Sequence, residues 1–252
     1  MDFKLILEHH LLDHTYQKLF RVGNFPVYFT KHLLMLWIAT FILLVLFLFI
    51  RSASRKTHII LELIVLFIRD EVVVPALGES GKKYLHYFLT LFFFILVSNI
   101  LGLIPGGSPP TGNIAVTSTL ALCTFCLIHI AGIKEQGFSH YIKSIVPSGL
   151  PLWLIPLMFP IELIGFLTKT FALAIRLFMN MIAGHIVILA FLCLIFIFGA
   201  MNSGVGFATA PLSIIMALFI HFLELVIVVP LQAFIFTFLT ALFVGAAIHP
   251  EH

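Results

Sequence analysis

The chain alternates long apolar runs with short polar joints, and the run lengths are the first thing it specifies. Residues 1–31 are polar and carry histidines. His32–Ile50 is then apolar over roughly the 20 residues that a hydrocarbon core requires. It is long for a signal peptide and lacks a small-residue cleavage site, so an anchor helix is expected. Thr57–Leu77, "THIILELIVLFIRDEVVVPAL", mixes an apolar face with Glu62, Arg69, Asp70 and Glu71, which suits a helix lying in the membrane interface. Leu85–Ile104 predicts another span, ended by "IPGGSPP", whose prolines and glycines force a turn. Ile114–Ile133 returns, and Gly137–Ser148 forms a polar connector suited to the interface. Two long apolar blocks follow, Pro151–Gly199 and about Phe207–Ile248, separated by "NSGVG".

These patterns divide the chain into an N-terminal polar segment (1–31), membrane anchor helices with an interfacial helix (32–150), and a C-terminal pair of long helices (151–252). The expected class is an all-α integral membrane protein. At 1.5 Å per residue, Pro151–Gly199 would extend about 70 Å as a helix, against a hydrocarbon core of about 30 Å. Ordinary tilts of about 20° do not absorb that excess. The prolines at 151, 156 and 160 and a steep inclination together predict a strongly tilted helical hairpin.

Composition agrees with this class: 61% of residues are hydrophobic and 10% charged, with a mean hydropathy of +1.16. A formal charge of +3 with scattered basic residues gives neither a nucleic-acid stripe nor a trap for acidic substrates. Cys123, Cys126 and Cys193 all lie in apolar runs. Cys123-x-x-Cys126 lacks the further ligands a metal needs, so packing is the expected role and no metal is expected.

Basic residues set an orientation. The joint between the first two spans holds Arg51, Arg55, Lys56, Arg69, Lys82 and Lys83, and the joint after the third holds Lys134 and Lys143, whereas 105–113 and 200–206 hold none. The positive-inside rule places 51–83 and 134–150 in the cytoplasm. The N-terminus then lies outside, despite Lys4, Lys18, Arg21 and Lys31, and the C-terminus lies inside.

Polar residues inside the two long blocks carry the candidate chemistry. Glu162, Lys169 and Arg176 recur every seven residues, so each is turned by only about 20° from the last and the three form one stripe. Asn180 extends it by one turn, and the small Ala172 and Ala183 leave room for another backbone or side chain to approach Arg176. His185 lies about 180° around and roughly 13 Å further along the axis. A mid-bilayer arginine costs at least about 2.5–3.5 kcal/mol on insertion scales, so it requires a counter-charge or water. A structural ion pair with Glu162 or Glu224 is one reading, although Glu162 is too far along the same helix to pair directly. An ion pathway is the other, because intramembrane ionisable residues mark such paths.

The second block, "HFLELVIVVPLQAFIFTFLTALFVG", supplies His221, Glu224 and Gln232. On an ideal helix His221 and Gln232 share a face to within about 20°, and Glu224 is displaced by about 80° from Gln232. Pro230 removes a helical hydrogen bond, and a bulge or kink there would change that register.

The stretches "FPIELIGFLTKTFALAIRLFMNMIAGH", "LQAFIFTFLTALFVG" and "LTLFFFILVSNILGLIPG" closely resemble subunit a of F-type ATP synthases, over roughly residues 33–249. The R-L-x-x-N-x-x-A-G core followed by L-Q-A-F-I-F is specific to that family. The resemblance implies a membrane stator subunit that passes protons through two offset half-channels to and from a rotating ring of c subunits. It implies that Arg176 faces the ring, with Asn180 and Gln232 as polar neighbours. His185 and Glu224 would belong to the outer half-channel, and Glu162 and Lys169 to positions near the cytoplasmic side. Glu224 precedes Gln232 by eight residues, where related sequences commonly have seven; His221 is the alternative relay.

Implied partners are the proteolipid c-ring, the peripheral-stalk b subunits, indirectly the F1 sector, and membrane lipid, with no nucleic acid. A bacterial plasma membrane is the expected location in preference to a mitochondrial inner membrane. No cofactor and no covalent chemistry are expected on this chain. The choice between H⁺ and Na⁺ rests with the ring carboxylate's surroundings, on another chain.

Two other classes compete. A haem-binding electron-transfer subunit would use His129, His185 and His221, but these lie on three segments with no paired pattern. A stand-alone channel or transporter would need inverted repeats or a pore-lining set of its own, and the two halves show no internal repeat.

Overall fold

The computed structural model describes residues 15–22, 25–52, 58–104, 107–145, 151, 154–201 and 203–249 of the 252. The first fourteen residues of the polar N-terminal segment, and Arg55 and Lys56 of the basic joint, lie outside the described residues.

Each predicted apolar run forms a helix. Hydrocarbon offers no partner for backbone N–H and C=O groups, so a spanning segment must satisfy them along its own length. Helix α1 is Lys31–Ser52. Helix α2, His58–Phe67, continues through a wide turn at Ile68–Val73 into the short α3, Val74–Leu77. Helices α4, Leu85–Leu103, and α5, Ile114–Gln136, are joined across the Pro/Gly-rich segment. The connector holds α6, Phe138–Ser144. The first long block is α7, Ile155–Met201, 47 residues without a break. The second is α8, Ser203–Leu223, a wide turn at Glu224–Val228, and α9, Val229–Ile248.

Among the described residues, five stretches are long and apolar enough to cross a membrane: Lys31–Leu48, Leu85–Leu103, Ile114–Gln136, Pro156–Ala200 and Gly204–Ile248. The His58–Leu77 segment is helical but is not among them. Large apolar side chains stand fully outward on these helices, among them Trp37, Phe41, Leu167, Phe171 and Phe207. A face of that kind suits hydrocarbon or a partner helix, not water.

Ahead of the helices, Thr15–Val22 and Phe25–Thr30 pair as an antiparallel hairpin, in register from Thr15 with Thr30 to Val22 with Phe25. The polar character of residues 1–31 gives no expectation of this element. "TYQKLFRV" and "FPVYFT" do carry the aromatic and β-branched residues that favour strands. Thr30 closes the hairpin and caps α1, its hydroxyl accepting from the Leu33 N–H at 3.3 Å.

The chain divides into two compact units, each drawn from three separate stretches. Unit one comprises Met1–Ile42, Ile95–Asn113 and Leu177–Gln232. Leu103, Met181 and Val229 are buried together, with Leu96 packed against them. The buried Thr111 hydroxyl donates to Asn99 Oδ1 at 2.6 Å, tying the segment after α4 to the helix it leaves. The buried His32, in the first turn of α1, donates from Nδ1 to the Pro109 carbonyl at 2.9 Å.

Unit two comprises Leu43–Phe94, Ile114–Arg176 and Ala233–His252. The Gln136 amide donates to the carbonyls of Ala247 and Ile248, at 2.7 and 3.3 Å, and so satisfies two of the four acceptors that the end of α9 leaves open. Gly137 breaks α5 from α6 at φ 82°, in the left-handed region that favours glycine. Tyr141 of α6 then reaches His129 Nδ1 at 2.7 Å. Lys83 and Glu135 form an exposed ion pair at 2.9 Å, and this hydrogen-bonded contact holds the Lys83 ammonium above its usual pKa.

Candidate functional site

Unit two holds the first part of the polar stripe. Because α7 runs unbroken through Glu162, Lys169 and Arg176, the seven-residue spacing keeps all three along one side. Glu162 is half-buried, while Lys169 and Arg176 are exposed. Ala174, on the far side of the helix, is buried. Lys169 Nζ lies 5.4 Å from the centre of the Phe166 ring and 6.0 Å from that of Phe243, so aromatic faces support this cation. Arg176 forms no ion pair with any carboxylate among the described residues. The structural pair with Glu162 is therefore not formed among the described residues.

Unit one holds Asn180, His185, His221, Glu224 and Gln232, and the wide turn decides which of them meet. Within Glu224–Val228 the backbone hydrogen bonds reach back five residues, as from the Val229 N–H to the Glu224 carbonyl. Such a turn takes one extra residue into the helix and removes about 100° of rotation relative to an ideal helix. Eight residues would otherwise carry Glu224 about 80° from Gln232; with the turn the offset falls to about 20°, as for a seven-residue spacing. His221, eleven residues away, moves from about 20° to about 80°. The turn thus exchanges the two candidates, bringing Glu224 onto the Gln232 side and taking His221 off it.

The cause is local. Pro230 lacks an N–H, and its ring would press on the carbonyl four residues earlier, at Val226, which lies inside the widened turn. The wide turn at Ile68–Val73 stands in the same relation to Pro75, whose fourth preceding residue is Glu71. Pro211 lies within α8 with no such turn, so a proline is not sufficient by itself.

Burial follows the same exchange. Glu224 is 4% exposed, and neither carboxylate oxygen has a hydrogen-bond partner among the described residues. His221 is half-buried. Glu224 packs against Gly184, where a Cβ would overlap its carboxylate, and it interacts electrostatically with His185 next along the chain. The ring of His185 faces two acceptors, the Met181 carbonyl from Nδ1 at 3.0 Å and the Gly102 carbonyl from Nε2 at 3.2 Å. Carbonyls only accept, so a neutral ring satisfies one of them and the doubly protonated ring both. Asn180 and Gln232 are half-buried.

Sequence reasoning misses Gly184. It is legible only as part of "MIAGH", and its role depends on a carboxylate forty residues away.

The sequence model of the family described as ATP synthase A chain matches residues 33–245. The chain belongs to that family. It is 42% identical over 239 residues to ATP synthase subunit a of Myxococcus xanthus, covering 91% of this chain and 76% of that one. It is 41% identical over 242 residues to ATP synthase subunit a of Chloroherpeton thalassium, covering 92% and 70%. With ATP synthase subunit a of Pelodictyon phaeoclathratiforme it shares 40% identity over 272 residues, covering 98% and 78%. The resemblance carried by the arginine and glutamine motifs thus extends along most of the chain, and both long helices lie almost wholly within the matched residues of this ATP synthase family.

Proposed function

We propose that this chain is the proton-conducting stator subunit of a rotary ATP synthase, with Arg176 directed at the carboxylates of a c-ring. The observation that carries the proposal is the pairing state of Arg176: an exposed guanidinium on an apolar helix, with no ion-pair partner among the described residues of its own chain. An intramembrane cation needs a counter-charge, and here that charge comes from another subunit. Arginine stays protonated under ordinary conditions and stabilises an arriving carboxylate as the anion, so the ring releases its proton beside it.

In this reading residues 151–252 carry the ion path and residues 32–150 anchor it. Asn180 and Gln232 flank Arg176. His185 and Glu224 form the outer half-path, and Glu162 and Lys169 lie toward the cytoplasmic one. The fixed positive charge between the half-paths repels a proton crossing directly, so the ring must turn to carry it. Each proton moved across the potential contributes about 2.3 kcal/mol per 100 mV. In this reading the chain lies in a bacterial plasma membrane, and the basic joints support a cytoplasmic C-terminus. The b subunits of the peripheral stalk hold the chain against rotation, and through them the F1 sector is coupled to it.

The test is ATP-driven acidification of membrane vesicles bearing the Arg176→Ala complex at parental levels. Pumping is expected to vanish while assembly persists, and lysine is expected to restore little because it lacks the planar fork. Substantial pumping by the alanine variant refutes the proposal.

A further inference from the structure

We propose that Phe243, on α9, and Phe166, on α7, are positioning residues that hold the Lys169 ammonium as a fixed cation of the cytoplasmic half-path, a role resting on the function proposed above. Lys169 Nζ lies 5.4 Å from the centre of the Phe166 ring and 6.0 Å from that of Phe243. It forms no ion pair among the described residues. Glu162, seven residues earlier on the same side of α7, is about 10 Å away along the axis and does not neutralise it. Phe166 precedes Lys169 by three residues, the spacing at which side chains on a helix meet and the direction in which they lean. Phe243 comes from the other long element, within the same compact unit.

Helical register gives the contact its meaning. Lys169 stands seven residues before Arg176, on the same side of α7 and about 10 Å nearer its start. Phe243 stands eleven residues after Gln232, turned by only about 20° and about 16 Å nearer the end of α9. The ammonium and the ring thus come from the sides of the two helices that carry the arginine and glutamine motifs. In the orientation proposed above, both displacements run toward the cytoplasm. A cation amid hydrocarbon needs a counter-charge, hydration or an aromatic face. A carboxylate beside Lys169 would cancel its charge, whereas two ring faces stabilise that charge and leave it whole. They also fix a point charge that its flexible stem would otherwise spread over many positions. During ATP synthesis, a positive charge fixed there favours the ionised form of a ring carboxylate entering the half-path, so the proton leaves to the cytoplasm before the carboxylate reaches Arg176. A lysine that merely reached for water would extend past the rings, and Phe243 would be interchangeable with any apolar side chain of similar volume.

The experiment uses the complete ATP synthase complex reconstituted into liposomes and reads ATP synthesis driven by an imposed proton gradient. At position 243 it compares tyrosine, leucine and a series of increasingly fluorinated phenylalanines. Fluorine withdraws electron density from the ring face while nearly preserving its shape, so the series separates an electrostatic hold from packing. The rate is expected to fall stepwise with fluorination and by about threefold or more in Phe243→Leu, while the conservative Phe243→Tyr retains it to within about twofold. Lys169→Arg is expected to keep most of the rate, because a guanidinium also sits on aromatic faces, and Lys169→Gln to fall at least as far as Phe243→Leu. In the Lys169→Gln background the fluorinated rings are expected to cause no further loss. A fluorinated series without slope overturns the proposal, as does the same slope in the glutamine background or a parental rate in Lys169→Gln. If Phe243→Leu does not assemble, the fluorinated series decides alone. Arg176→Ala keeps the two readings apart: synthesis in that variant sinks the proposed function itself, whereas its loss together with a flat fluorinated series removes only the aromatic hold on Lys169.

Discussion

The absent side chain of Gly184 is the space in which the Glu224 carboxylate sits: a Cβ at that position would overlap Oε1. The contact involves a carboxyl group at the centre of the proposed path, so on that proposal it is both a packing constraint and a functional one. Gly184→Ala inserts a methyl into occupied volume, which costs about 1–3 kcal/mol when the site does not relax. The carboxylate is the movable partner and is pushed off its place beside His185. Proton pumping by Gly184→Ala is therefore expected to fall by about ten- to a hundredfold, at about 1.4 kcal/mol per decade. Uptake measured in vesicles with matched subunit content checks this, and an unchanged rate would show that Glu224 does not need its observed position.

The wide turn at Glu224–Val228 leads to a deletion experiment. Removing Ile227 shortens the spacing from Glu224 to Gln232 to seven residues, which on a continuous α-helix gives the same offset of about 20° that the turn now achieves. The deletion is expected to retain substantial pumping. Inserting one alanine after Val226 adds about 100° that no existing turn absorbs and is expected to abolish it. Loss of pumping in both variants, with assembly intact, would show that the two residues do not act from a common side.

Much of the fold was legible because hydrocarbon leaves so few choices. A run such as Leu85–Ile104, apolar and free of internal proline, must close its backbone bonds as a helix, and the helix observed ends within a residue of that reading. The arginine motif was equally legible, since a charge amid apolar residues stands out without any structure. The register of Glu224 was not, because it depends on whether Pro230 widens a turn, and Pro211 shows that the residue type does not decide it. Gly184 was invisible for a different reason: its significance lies in a contact with Glu224, distant in sequence. The β-hairpin at Thr15–Thr30 fell in a segment whose polarity drew attention away from its strand-forming residues.

Charged groups outside the spans predict a pH dependence of opposite sign at two sites. Hydrogen bonding to Glu135 raises the Lys83 pKa above its ordinary 10.5, so the stabilisation is fully present below that value and is lost as pH rises through the raised one. Hydrogen bonding to Arg69 lowers the Asp70 pKa below its ordinary 3.8, so that contribution is present above 3.8 and is lost as pH falls through the lowered value. Both pairs are exposed, so each effect is small and screened by salt. In melting curves of the detergent-solubilised complex, Lys83→Ala is expected to differ slightly from the parent near pH 8 and to converge with it in strong alkali. Asp70→Asn is expected to converge with the parent in strong acid. A difference that persists at those extremes, or in about 1 M salt, would mean that the pairs act through packing instead.

The length of α7 makes the last prediction. Its 47 residues correspond to about 70 Å at 1.5 Å per residue, and the apolar stretch Pro156–Ala200 accounts for nearly all of it. A helix aligned with the membrane normal would leave more than half of that apolar length outside a hydrocarbon core of about 30 Å. Local thickening of the bilayer absorbs only a few ångströms, so inclination or bending must accommodate the rest. For a straight helix the required angle is about 65°, far above the usual 20°. Such a helix presents its side chains broadly to a neighbouring cylinder, as the function proposed above requires. The second long element, Gly204–Ile248, carries the same excess and is expected to incline with it. Spin labels placed along both elements in lipid bilayers, read for immersion depth against oxygen and a polar relaxant, give the slope of each helix directly. Depth should change by well under 1 Å per residue through the middle of α7, against about 1.4 Å for an ordinary span. Slopes of the ordinary size in both elements would overturn the tilted arrangement.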